Sequence, residues 1–128
     1  MKPIRASLIV AGCLGSLTSL VSTAAAQSTC PVAGRYAVVG RIPGATGQYT
    51  GEAVIAANAT GCEMRWFPPN DSSGSGTYSN GVLTVYFTFA NGGSGVVRYT
   101  RASNGELHGV WWMNGNENNQ GTETLRRL

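Results

Sequence analysis

Ser79-Asn80-Gly81-Val82-Leu83-Thr84-Val85-Tyr86-Phe87-Thr88-Phe89-Ala90-Asn91-Gly92-Gly93 is the stretch on which the fold class turns. Leu83, Val85, Phe87 and Phe89 alternate with Thr84, Tyr86 and Thr88, so one face of an extended segment is apolar and the other is not. That period of two belongs to a strand; an amphipathic helix would space its apolar residues three and four apart. Asn-Gly on one side and Asn-Gly-Gly on the other supply the backbone freedom of tight turns, so the strand lies between two hairpins.

The same grammar runs outward in both directions. Turn clusters recur at residues 43–47, 58–61, 68–71, 103–105 and 114–116, drawing on the 18 glycines of the chain. Between them lie segments rich in Val, Tyr, Phe, Trp and Thr. Eight strands are predicted, at residues 34–42, 48–57, 62–67, 74–78, 82–89, 96–101, 107–113 and 120–127. None of these segments has a helical period. Short connections pair each strand with the one before it, and eight such strands close most economically into an antiparallel up-and-down β-barrel. A β-sandwich is the alternative that periodicity leaves open.

Alternation also assigns the faces. Tyr36, Tyr49, Trp66, Phe87, Tyr99 and Trp111 point inward, with Ala53, Ile55, Met64, Val97, Leu107 and Leu125. Gly40, Gly51 and Gly109 share the inward parity and make room for large rings. An eight-stranded barrel has just enough interior for side chains or one small ligand. With so many rings inside, the interior is expected to be full. Trp111 and Trp112 are adjacent, so they face opposite sides. Trp112 faces out with Tyr86, and exposed aromatics of that kind mark a candidate binding patch, to which His108 is added as an outward or rim residue.

Gly34-Arg35-Tyr36 opens the first strand, and Arg126-Arg127 closes the last. In this the chain resembles the calycin-like barrels, the group of lipocalins, avidins and several small bacterial inhibitors. Those families often place Gly-x-Trp at the first strand and a basic residue across its ring; Tyr36 stands here for Trp. Tyr49-x-Gly51, Leu107-x-Gly109-x-Trp111 and Gly121-Thr122-Glu123-x-Leu125 also look like short exported bacterial proteins of unestablished function. The resemblance implies a barrel and an exported location, and carries over no site residue.

The N-terminus reads as a signal peptide: Lys2 and Arg5, an apolar stretch over residues 6–21, then Ala24-Ala25-Ala26. Residues 1–26 form the expected signal and residues 27–128 a β-barrel domain, cut before Gln27 and released to the periplasm or medium. Stable membrane insertion after cleavage is not expected. A lipobox-like Val10-Ala11-Gly12-Cys13 gives a minor alternative, a lipoprotein anchored at Cys13. Cys30 and Cys62 remain as an even pair in an oxidising compartment and are expected to form a disulfide.

Of the 9 Lys and Arg residues, Lys2 and Arg5 leave with the signal, and the rest nearly balance 6 Asp and Glu. The chain's pI of about 9.0 is therefore no argument for nucleic acid. Catalytic chemistry has few candidates. His108 is the single histidine and Asp71 the single aspartate, and neither lies in a nucleophilic motif. No metal-ligand spacing and no cofactor motif is present. Glu123 alone among the carboxylates shares inward parity, next to Leu125, which suggests a structural ion pair with an arginine.

The expected function is therefore non-enzymatic binding. A protein partner or envelope component captured by the outer face leads, in the manner of an inhibitor or adhesion factor. The alternatives are a small apolar ligand held inside the barrel, as in lipocalins, and weak hydrolysis using Glu123 or His108.

Overall fold

A computed structural model describes residues 28–128; the apolar leader, Cys13 and the cut before Gln27 lie outside the described residues. Eight strands follow one another: β1 Gly34–Arg41, β2 Tyr49–Ala57, β3 Cys62–Trp66, β4 Ser72–Ser79, β5 Val82–Phe89, β6 Ser94–Arg101, β7 Leu107–Met113 and β8 Gly121–Arg127. Each pairs antiparallel with its neighbour in sequence, and β8 closes on β1, giving a barrel in the order β1 to β8. Closure excludes the sandwich and leaves no unpaired strand edge.

The strand boundaries follow the alternation closely. The largest departure is β4, predicted over 74–78, which starts two residues earlier at Ser72 and runs to Ser79. There the glycines are strand residues that let β4 lie tightly against β5. A Cβ on Gly74 would come within 2.2 Å of the Tyr86 carbonyl oxygen, and one on Gly76 within 1.7 Å of that of Thr84. The hairpin turn that follows is the one expected from Ser79-Asn80-Gly81, with Asn80 and Gly81 at φ of 54° and 80°. Two successive left-handed residues match the right-handed twist of the flanking strands.

Antiparallel order sends alternate loops to opposite poles. At one pole lie the β2–β3, β4–β5 and β6–β7 connections and the segment 28–33. This pole is packed shut. Tyr36, Leu83, Leu107 and Leu125 are fully buried there with Val32 from the N-terminal segment. Each such aliphatic side chain contributes about 1.5–3 kcal/mol by leaving water. Tyr36 donates its hydroxyl to the Val32 carbonyl at 2.6 Å and accepts from Arg127 at 3.0 Å. The Arg127 guanidinium also lies 5.1 Å from the Tyr36 ring centroid, so it is Arg127 that crosses the aromatic ring of β1. Burial raises the Tyr36 pKa, and the Arg127 charge opposes the rise.

The disulfide joins Cys30 to Cys62, with Cα atoms 5.2 Å apart, and straps segment 28–33 onto the start of β3. Thr29 adds hydrogen bonds to the carbonyls of Asn58 and Gly61 at 2.6 and 3.1 Å. Both cysteines are buried in the core. The strap thus acts as the plug of this pole.

Candidate functional site: an aromatic cup with a carboxylate floor

The opposite pole is open. Here the expectation of a full interior fails: a cavity of about 590 Å³ opens between the β1–β2, β3–β4, β5–β6 and β7–β8 connections. Tyr36, Trp66, Phe87 and Tyr99 are buried, and Tyr49 and Trp111 pack against the core. The number of rings does not set the space they fill. At this pole Phe87, Phe89 and Trp111 border an open lumen, with Trp66 reaching across its base.

The reason lies in the small residues between them. Ser72 and Gly74 of β4 separate β3 from β5, and neither projects far inward, so Trp66 and Phe87 meet edge to face over them with centroids 5.8 Å apart. Phe87 continues the chain of contacts to Phe89 at 5.4 Å and to Trp111 at 6.4 Å, again edge to face. Gly95 of β6 lies under Phe87, and a Cβ there would meet the ring at 2.9 Å. A Cβ on Gly51, by contrast, would meet only Asn70, at 3.6 Å. Of the three inward glycines singled out for making room, Gly40 and Gly109 do lie under rings, and Gly51 does not.

Those two glycines build the floor. The register places Tyr99, Gly109, Glu123, Gly40 and Tyr49 side by side on β6, β7, β8, β1 and β2. Tyr99 reaches across Gly109, whose Cβ would lie 2.6 Å from its ring, and Tyr49 reaches across Gly40, whose Cβ would lie 2.2 Å from its ring. Both hydroxyls arrive at the Glu123 carboxylate. Tyr49 donates to Oε1 at 2.8 Å, and Tyr99 donates to Oε2. The Trp66 indole N–H comes from across the lumen and donates to Oε2 at 2.8 Å. Glu123 is only 6% exposed, yet its carboxylate borders the cavity.

The expected arginine partner of Glu123 is absent. Every arginine among the described residues is exposed, and none lines the cup. Three neutral donors therefore hold the carboxylate where a counter-charge was expected. Burial raises the Glu123 pKa, and the three hydrogen bonds from Tyr99, Trp66 and Tyr49 oppose the rise. Burial, then the nearby carboxylate, push the Tyr49 and Tyr99 hydroxyls well above the ordinary tyrosine value, so both remain donors. The Trp111 ring lies over Gly121, and its N–H is buried without a hydrogen-bond partner. It comes close enough to the Tyr49 hydroxyl to oppose that group's pKa rise slightly, without making a bond of good geometry.

The outer-face candidates divide. Tyr86, Val96 and Trp112 form one row across β5, β6 and β7, so Tyr86 and Trp112 do share a patch. Tyr86 is 65% exposed; Trp112 is half-buried, with the Arg98 guanidinium 5.8 Å from its ring centroid. His108 faces outward too, but four residues along β7 from Trp112 it belongs to another group. It bonds Glu106 at 3.0 Å, and Arg126 holds the second oxygen of Glu106 at 2.8 Å. Together they keep the Glu106 carboxyl down at about 2, His108 contributing most. Glu123 and His108 lie on opposite faces of the wall and share no site.

Sequence reasoning had Tyr49, Trp66, Tyr99 and Glu123 inside but did not join them. The signal that joins them is the alignment of two inward glycines on either side of the one inward carboxylate. It needs the register, which periodicity alone does not supply. Comparison of the chain with family models, with curated proteins and with solved structures found no match to any of the three.

Proposed function

We propose that this protein is an exported, non-enzymatic binding protein that takes a small, largely apolar molecule into the open pole of its barrel. The observation that carries the reading is the cup itself: about 590 Å³, walled by Trp66, Phe87, Phe89 and Trp111, with one polar cluster at its floor. Ligand cavities are commonly of this size, mostly apolar, with a few convergent polar groups. A barrel that only needed to be stable would gain from filling this volume, as its other pole does. The closed ring of strands and the Arg127–Tyr36 stack support a calycin-like, lipocalin-type reading. The charged N-terminus and apolar leader support export.

Trp66 and Trp111 line the cup, so binding is readable in their fluorescence. A panel of small apolar probes is expected to shift or quench it saturably. Ser72→Phe, which puts a ring into the lumen at a small inward position, is expected to abolish the response while the chain stays folded. A panel without any saturable response, or one unaffected by Ser72→Phe, would count against the cup.

A second reading rests on the Tyr86–Val96–Trp112 row, which offers an aromatic patch to a protein partner on the outer wall. Its test is partner capture by Tyr86→Ala and Trp112→Ala, both expected to leave the cup's ligand response unchanged.

A further inference from the structure

Resting on the cup as a ligand site, we infer that its ligand is an organic ammonium: a protonated amine that pairs with Glu123, carried on an apolar body that packs against Trp66, Phe87 and Trp111.

Three observations on the floor and walls point the same way. The first is an imbalance of charge. Glu123 is an almost fully buried carboxylate at the base of an open cavity, and the groups that hold it are all neutral: Tyr49, Tyr99 and Trp66. Buried charges in proteins are ordinarily paired, because the cost of leaving water is offset only by an opposite charge. No arginine reaches this carboxylate, and no histidine lines the cup. A cation entering from the open pole would supply what the fold omits.

The second is unused hydrogen-bonding capacity. Oε2 accepts from two donors, but Oε1 accepts only from Tyr49. A carboxylate offers about four acceptor sites, so Oε1 keeps one for a further donor. An ammonium N–H fits that vacancy and strengthens it by charge. A carboxylate ligand would instead face like charge, unless Glu123 took a proton.

The third is the wall. Aromatic faces present negative potential, and a cation within about 6 Å of a ring centroid is attracted to it. The rings of Trp66, Phe87, Phe89 and Trp111 pack edge to face in one continuous run. Such a run offers both an apolar surface for a hydrocarbon body and a favourable field for a positive head.

The test compares three probes of one shape: phenylbutylamine, phenylbutanol and phenylbutyrate, titrated calorimetrically into the oxidised protein lacking its leader. The amine is expected to bind at least about tenfold tighter than the alcohol, the usual worth of a charge-assisted over a neutral hydrogen bond. Its affinity is expected to rise with pH from the acid side as Glu123, held above the ordinary carboxyl value by burial, gives up its proton, while that of the alcohol stays flat. Glu123→Gln keeps an acceptor in place without the charge, and is expected to reduce the amine to the affinity of the alcohol. Equal affinity of amine and alcohol overturns the inference and leaves the cup as a neutral apolar site. Tightest binding by phenylbutyrate overturns it too, and shows Glu123 acting as a protonated donor. Should none of the three bind while Ser72→Phe also leaves the broader probe panel unchanged, both the inference and the cup fall together. The wild-type comparison stands even if Glu123→Gln does not fold.

Discussion

The two poles of this barrel are made from the same eight strands, yet one is packed solid and the other is hollow. At the closed pole large side chains meet across the lumen, with Val32 brought in by the disulfide strap and Arg127 covering Tyr36. At the open pole the inward positions between the rings are Ser72, Gly74, Gly95 and Gly121, and Phe87, Phe89 and Trp111 border an open lumen. The difference teaches that ring count does not fill a barrel. Fullness depends on whether small residues separate the large ones along the circumference, which lets the rings fold sideways.

The contrast is sharpest in stability. Tyr36→Ala is expected to cost about 3–5 kcal/mol, since it removes a fully buried ring and leaves Arg127 without its partner. Trp111→Ala, at the border of an existing cavity, is expected to cost on the order of 1–2 kcal/mol because little new void is created. Denaturant titration of the two variants decides it, and equal losses would break the comparison of the poles.

Next in size is the strap. Replacing both Cys30 and Cys62 by Ser is expected to cost about 2–4 kcal/mol through the freedom regained by the unfolded chain. The same variant is expected to leave ligand response at the open pole unchanged. Thiol titration of the denatured, unreduced protein should find no free thiol; two titratable thiols would contradict the bridge.

The carboxylate floor makes stability depend on pH in a particular direction. Burial holds Glu123 above the ordinary carboxyl value, so between that value and its pKa in the folded chain the folded state carries more protons than the unfolded one. Stability contributed by the protonated form is therefore present at low pH and declines as pH rises through that window. Glu123→Gln does not ionise and is expected to flatten this decline, measured as denaturation midpoints across the acid to neutral range. A wild-type midpoint that instead rises monotonically there, with no difference from the variant, would contradict the assignment.

The smallest effect is expected on the outer wall. Trp112→Ala loses a half-buried ring under Arg98 and should shift stability by no more than about 1 kcal/mol. A loss matching that of Tyr36→Ala would mean that the faces of β7 are reversed.

Much of the fold was legible because alternation is local: Leu83, Val85 and Phe87 mark the inner face of β5 whatever the rest of the chain does. The Cys30–Cys62 bridge was legible from the even pair of cysteines that residues 27–128 contain. The start of β4 was harder, since Ser72 and Ser73 follow directly on the turn cluster at 68–71 and join the strand only through pairing with Trp66 and Arg65 of β3. Glu123 was placed on the correct face, but its partners were not, because an ion pair is the common answer for a buried carboxylate. The answer adopted here needs three residues from β2, β3 and β6 brought together by register. The cup was the least legible feature of all, being made of positions where a side chain is missing.

Antiparallel order has one further consequence, for how the molecule can be presented. Residue 28 is held by the strap beside β3, and Leu128 donates its backbone N–H to the Arg35 carbonyl, so both ends of the described chain emerge at the closed pole. A tether, fused domain or purification handle joined at Leu128 is attached on the far side from the cup. A molecule held by a short tether at Leu128 therefore has its mouth on the side away from the point of attachment.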